Sequence, residues 1–191
     1  GSMCQPSSMP WSLALLAGTA LTAPALAQGG GPALPQGGRF VAGQGGIGAP
    51  TANTLAITQQ SARGVIDWRQ FNVGQGATVT FNNGAGATLN RVTGGDLTQI
   101  LGTLRATGTL FVVNPQGVVV GQTGVVATGG SFVASTLNIA NDAFMRGGTL
   151  VFRADGSGAN ANAEVRNLGQ IMAGAGDVVL IARQVTNAGT I

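Results

Sequence analysis

Histidine, tyrosine and lysine are absent from this 191-residue chain, cysteine occurs once, and only 8% of residues are charged. Without histidine, and with Cys4 as the lone thiol, no ligand set for a structural zinc site exists, and no cofactor is expected. So few charges beside 44% hydrophobic residues exclude charge-driven disorder. The nine basic residues are all arginine (39, 63, 69, 91, 105, 146, 153, 166 and 183), and no two lie closer than six positions apart. No basic run is available to release counterions, so nucleic acid is not expected as a partner. A pI of about 11.1 at a net charge of only +3 records the missing lysine, histidine and tyrosine. Helical periodicity is also missing: beyond the first thirty residues no window reads as an amphipathic helix.

Glycine is in excess, with 33 residues that punctuate runs of Val, Ile, Leu, Thr and Phe instead of forming tracts. One pattern is written twice: Val165, Asn167, Gly169 and Ile171 return as Val185, Asn187, Gly189 and Ile191, each twenty residues on. A fixed period of this size marks a solenoid, in which each repeat is one coil stacked on the last. The matched residues fall at every second position, the spacing of one face of a strand. Between the copies, 172–177 is a glycine-rich turn and 178–181 a run of branched apolar residues. Short strands joined by tight corners, repeated at about 20 residues, predict an all-β chain wound as a β-helix. Asn167 and Asn187 either hydrogen-bond one above the other as an amide ladder or serve only as residues that tolerate a left-handed turn.

The N-terminus reads as a targeting segment. Residues 13–21 form a short apolar core, followed by Pro24 and by Ala25, Leu26 and Ala27, the small-x-small pattern of signal-peptidase cleavage. The run is too short, and too broken by Gly18, Thr22 and Pro24, for a transmembrane helix. No basic residue precedes Arg39, and Gly1, Ser2 and Met3 look like a cloning scar, as if an export signal were cut at its front. Residues 1–27 are thus signal-peptide-like, a natural apolar arm being the other reading, and 28–37 form a Gly/Pro/Gln linker. With Cys4 inside that signal, the exported chain has no disulfide and can stay extended while crossing a second membrane.

From residue 38 onward, strand-like runs alternate with turns. Asn83 and Gly84 form a strong turn signal because both tolerate positive φ. In Asn114, Pro115, Gln116 and Gly117, proline presets φ at about −65°, glycine gives freedom at the fourth position, and asparagine bonds its own backbone. Flanked by 110–113 and by Val118, this stretch predicts a corner between two buried strands. Asp67 and Trp68 resemble an acidic residue beside a sugar-stacking platform, although a tryptophan among strands more often belongs to the core. Asp96, Asp142, Asp155 and Asp177 each stand beside glycine or asparagine, where aspartate usually caps backbone.

Taken in order, Val65, Ile66, Asp67 and Trp68, then Phe71, Asn72 and Val73, then Leu89, Asn90, Arg91, Val92 and Thr93, then 111–118 and 134–139, resemble a known set. They are similar to the secretion domain of two-partner-secreted exoproteins, the filamentous haemagglutinin family, in the branch found in high-molecular-weight adhesins. The family's Asn-Pro-Asn-Gly-Ile motif stands here as Asn114, Pro115, Gln116, Gly117 and Val118. Its Asn-Pro-Asn-Leu motif has no counterpart between Asn83 and Leu89.

The resemblance implies a right-handed parallel β-helix with N-terminal capping strands and small extra-helical hairpins, over 38–191. Residues 38–85 would cap one end, and 86–191 would form coils that break off in mid-repeat. It further implies a monomeric N-terminal secretion module of a large exoprotein, with no catalysis of its own. A dedicated outer-membrane β-barrel transporter would recognise it through periplasmic domains. The module would then seed β-helix folding at the surface of a Gram-negative bacterium, and host-cell receptors would be met by a downstream region. The Asn114 corner is either a turn-former or a direct docking point for that transporter. Two other classes stay open: a self-contained adhesin fragment that binds host glycan or protein, and a β-helical polysaccharide-acting enzyme.

Overall fold

Extended runs such as Thr109–Val113 and Val118–Val120 cannot satisfy their own backbone, and each finds its hydrogen-bond partners one coil away. The structure, a computed structural model, describes residues 31–154, 156 and 160–191. The signal-like segment 1–27 and Asp155 lie outside the described residues. Two strands come first, β1 (Arg39–Ala42) and β2 (Gly45–Ile47). Five coils follow. The first holds β3 (Thr54–Gln59) and β4 (Arg63–Trp68), and the second β5 (Thr78–Asn82), β6 (Ala87–Val92) and β7 (Thr98–Ile100). The third holds β8 (Thr103–Ala106), β9 (Thr109–Val113) and β10 (Val118–Val120). The fourth holds β11 (Val125–Thr128), β12 (Phe132–Ser135), an excursion with helix α1 (Asn141–Arg146), and β13 (Glu164–Asn167). The fifth holds β14 (Gln170–Ala173), β15 (Val178–Ile181) and β16 (Gln184–Asn187).

Corresponding strands stack into three walls: β1-β4-β6-β9-β12-β15, β2-β3-β5-β8-β11-β14, and β7-β10-β13-β16. Among the described residues, these strands all pair in parallel except β1 with β4 and β2 with β3. Parallel pairing therefore begins at Thr54, so the 38–85 segment contains both antiparallel strands and the first coil. The twenty-residue period holds on the third wall, where Thr98 pairs with Val118 and Val165 with Val185. Elsewhere the corners are longer: Leu110 pairs with Phe132, twenty-two on, Arg63 with Ala87, twenty-four on, and Thr78 with Thr103, twenty-five on. The expected period of about twenty residues thus becomes twenty to twenty-five, and forty-five to forty-seven across the excursion, because corner length is free while strand register is not.

The first wall is buried on both faces, which explains its unbroken apolar runs. Alternation sends Ile66, Leu110, Val112, Phe132 and Ala134 into the solenoid interior, with Trp68 and Phe71. The residues between them, Val65, Leu89, Phe111, Val113 and Val133, point outward into a second core that the excursion covers with Ile139 and Phe144. At the N-terminal end, Leu34, Phe40 and Ile47 close over the interior core. Gly38 lies against the indole: a Cβ there would sit 2.3 Å from a Trp68 ring carbon, so only glycine allows this strand to lie flat on the ring.

The excursion is where sequence reading and structure part. No helix stood out, yet α1 is helical, because six residues are too few to display a period. The expected hairpin reduces to one antiparallel bridge, Asn138 with Arg153, around that helix. Phe144, the buried residue of α1, meets Phe111 edge-on at 5.2 Å, and the Arg63 guanidinium lies 5.3 Å from its ring centroid. Phe144→Ala is expected to lower the local opening free energy of the excursion by about 3 kcal/mol. Hydrogen exchange should accelerate across the excursion and leave β8 unchanged; equal acceleration in β8 would mean that the excursion is not a separable unit.

Candidate functional site

The Asn114 corner is built from inside. Gly117 N donates to Asn114 O at 3.0 Å, closing the turn, and Gln116 N donates to Asn114 Oδ1 at 2.9 Å. The Asn114 amide then donates to Asp96 O at 2.9 Å and to Thr98 Oγ1 at 3.0 Å, both one coil back. Its own N–H donates to Ser135 O on the coil ahead. Asn114 has no exposed surface and ties three successive coils together, while Pro115 and Gln116 remain half-buried. Gly117 has φ +120, the left-handed region that a side chain disfavours, and Val118 is fully buried beside it.

A second group gathers around Trp68, which is 1% exposed and therefore cannot serve as a sugar platform. Its ring lies edge-on to Phe71 at 5.5 Å, and Nε1 donates to Asn90 Oδ1 at 2.9 Å. Asn90, directly over Ile66 in register, passes the chain on by donating to Phe111 O at 3.1 Å. Val92 stands over Trp68 in the same register, and Asn72 Oδ1 accepts from Gln99 N at 2.8 Å. Outside the solenoid, Asp67 pairs with Arg91 across the strands at 3.6 Å. Arg91 Nε donates to Asn138 Oδ1 at 2.9 Å, and its Nη2 reaches Ile139 O and Asn141 Oδ1. Arg91 thereby clamps the excursion onto the first wall.

Arg91, Val92, Pro115 and Gln116, drawn from two separate motifs, meet at one cleft of about 160 Å³. That volume admits a single side chain and is well short of a sugar or cofactor site. A larger open groove of about 770 Å³, bordered by Arg63, Phe111, Val133, Leu150 and Asp177, touches none of Arg91, Asn114, Pro115 and Gln116.

The asparagines of the repeat stand in register, and Asn167 Nδ2 donates to Asn187 Oδ1 at 2.9 Å. No non-glycine residue among those described has positive φ. The left-handed role considered for these asparagines and for Asn83 is therefore not taken up; Gly84 alone turns that corner, at φ +58. Asn83 is instead a buried hub: its amide donates to Thr88 Oγ1 and Thr109 O, and its Oδ1 accepts from Thr107 Oγ1 and Gly108 N. Thr88 continues to Gln59 Oε1 at 2.7 Å. This Gln59–Thr88–Asn83–Thr107 chain escaped sequence reading, and its only signal was two polar strand residues, Gln59 and Thr88, with two more, Asn83 and Thr107, just past strand ends.

Of the aspartates expected to cap backbone, Asp142 does so by accepting from the Ala143 N–H, and two others do not. The Asp96 and Asp177 carboxylates accept no backbone bond among the described residues. Asp142, exposed in the first turn of α1, is held below the usual carboxylate range chiefly by its hydrogen bond from Arg146.

Comparison with known proteins gives this architecture a context. A family model described as the TPS secretion domain matches residues 33–191. A heme/hemopexin-binding protein of Haemophilus influenzae is 40% identical over 74 residues, covering 38% of this chain and 8% of that protein. Its counterpart from strain Rd is 35% identical over 85 residues, covering 44% of this chain and 9% of that protein. The matches thus span less than a tenth of the curated relatives. Among solved structures, the HMW1 secretion domain of Haemophilus influenzae superposes with a TM-score of 0.68 at 32% identity, covering 81% of this chain and 41% of that one.

Proposed function

Because this chain belongs to the TPS secretion domain family, we propose that it is the N-terminal secretion module of a larger exported exoprotein. A dedicated outer-membrane β-barrel transporter captures it through periplasmic domains, and the module then seeds β-helix folding outside the cell. The observation that carries this reading is a single family match running unbroken over the antiparallel strands and all five coils. The family is one of secretion domains and not of enzymes, so the polysaccharide-acting alternative finds no support in it.

The fold's asymmetry supports seeding. One end is covered by β1 and β2 with Phe40 and Ile47, so the core there is closed and its edges are occupied by antiparallel partners. Growth from a closed end needs no second nucleus, since each new coil gains both ladder bonds and a buried face from its predecessor.

Deleting residues 38–85 removes β1 to β5 and should leave the exoprotein in the periplasm or degraded, as read by immunoblot of periplasmic and culture fractions. Efficient export of that deletion would sink the proposal. Capture of the unfolded chain by the transporter's isolated periplasmic domains is the matching binding test.

A further inference from the structure

Three of the nine arginines are half-buried, and two of them hold a carboxylate: Arg91 pairs with Asp67, and Arg166 with Glu164. Arg63 is the third. It opens β4 on the first coil, and its guanidinium lies 5.3 Å from the Phe144 ring centroid. Gly147 stands beside it at φ +72, where a Cβ would lie 3.0 Å from Arg63 Nη2. The cation is held in place, yet among the described residues no oxygen accepts from its N–H groups. A fixed, half-buried guanidinium with unused donors is suited to an anion.

Arg63 borders the groove of about 770 Å³. Its row continues across the first wall, with Ala87 over Arg63 and Thr109 over Ala87. Ser131 N donates to Thr109 Oγ1 at 3.1 Å, and Asp177 N to Ser131 Oγ at 3.0 Å, which carries the row to the fifth coil. Four strand spacings make this row about 19 Å long. Asp177 is therefore about two Debye lengths from Arg63 at physiological salt and does not neutralise it. The groove's volume over that length leaves a section of about 40 Å², room for one extended chain and too narrow for a helix about 10 Å across. Leu150 of the excursion, half-buried, adds an apolar wall.

We propose that this groove binds an extended acidic segment of a partner protein, about six residues long at about 3.3 Å each. An Asp or Glu carboxylate of that segment sits on Arg63, and an apolar side chain packs against Leu150. The planar fork of arginine meets a carboxylate at two points, and here it is already positioned. Charge selects the occupant, because Arg63 is the one cation bordering the groove and no acid stands near it. A glycan fits less well. Phe111 is 7% exposed and meets Phe144 edge-on, so no ring face is open for stacking, and the Thr109 and Ser131 hydroxyls already accept main-chain bonds. Binding here is a property of the folded domain and goes beyond the transport reading, whose capture test uses the unfolded chain.

The test titrates the isotope-labelled full chain with acetyl-Glu-Thr-Leu-Ser-Val-Thr-amide and with its Gln counterpart, following the Arg63 Nε–H resonance. The Glu peptide should shift that resonance saturably and bind about tenfold tighter than the Gln peptide, the margin of a charged over a neutral hydrogen bond. Arg63→Gln should level the two peptides. Arg63→Lys, which keeps the charge and the contact with Phe144, should retain the preference at lower affinity. The comparison of the two peptides on the unaltered chain decides even where a variant loosens the excursion. Equal affinity for both, or no binding of either at millimolar concentration, overturns the proposal. A stronger response to tetragalacturonate would assign the groove to an acidic glycan and overturn it too. Shifts that grow with protein concentration alone would assign it to a second copy, with the same result.

Discussion

Asn90→Ala should destabilise the domain by about 3–5 kcal/mol. The asparagine is fully buried and bonded at both ends, to Trp68 Nε1 at 2.9 Å and to Phe111 O at 3.1 Å. Alanine strands a donor and an acceptor inside the core, each costing about 1–3 kcal/mol, and adds the cavity left by the missing amide. Thermal unfolding should shift down by roughly 10 °C at this domain size. A cycle with Trp68→Phe isolates the indole bond. The double mutant should fall short of the summed singles by about 1–2 kcal/mol, since each single already breaks the same contact. Strict additivity would mean that the Trp68–Asn90 bond contributes nothing.

Asn114→Ala is the second, at about 3 kcal/mol, and it separates the two readings of the Asn-Pro-Gln-Gly corner. The side chain closes an Asx turn on Gln116 N and donates to Asp96 O and Thr98 Oγ1. Its removal unpins the corner from the coil behind it. Because Asn114 is wholly buried, a folded domain cannot present it to a transporter. The expected outcome is lower stability with unchanged capture of the unfolded chain by the periplasmic domains. Lost capture at unchanged stability would establish docking by this residue instead.

The architecture was legible because the last step of the third wall spans twenty residues with matching letters: Val165 over Val185 and Asn167 over Asn187 are visible in the sequence alone. The other walls are harder to read because their corners vary. Partners there stand twenty-two, twenty-four or twenty-five residues apart, and on all three walls, the third included, the excursion opens one long step, as from Phe132 to Val178 and from Val118 to Val165. Residues whose role is local were read well; Pro115 and Gly117 shape the turn that their types suggest. Residues whose role spans coils were not. Asn83 opens the turn that its Asn-Gly dipeptide signals, with Gly86 N donating to its carbonyl at 2.8 Å, but its amide also serves Thr88, Thr107 and Thr109, contacts that irregular spacing hides. Asp67 and Arg91 carried the family resemblance, and only the fold gives a reason: they pair across β4 and β6, and Arg91 holds the excursion.

That excursion leaves the stack after Ser135 and returns at Glu164, while β12 and β13 keep their full register with the coils on either side. Length inside it is therefore uncoupled from the pitch of the solenoid. Val151, 51% exposed on this outer segment, is a place where a probe can ride without entering the stack. With Cys4 the chain's lone thiol, Val151→Cys combined with removal of Cys4 would make a single-site reporter. Its labelling by a membrane-impermeant maleimide on intact cells would test whether, and when, the domain reaches the outer side of the cell envelope.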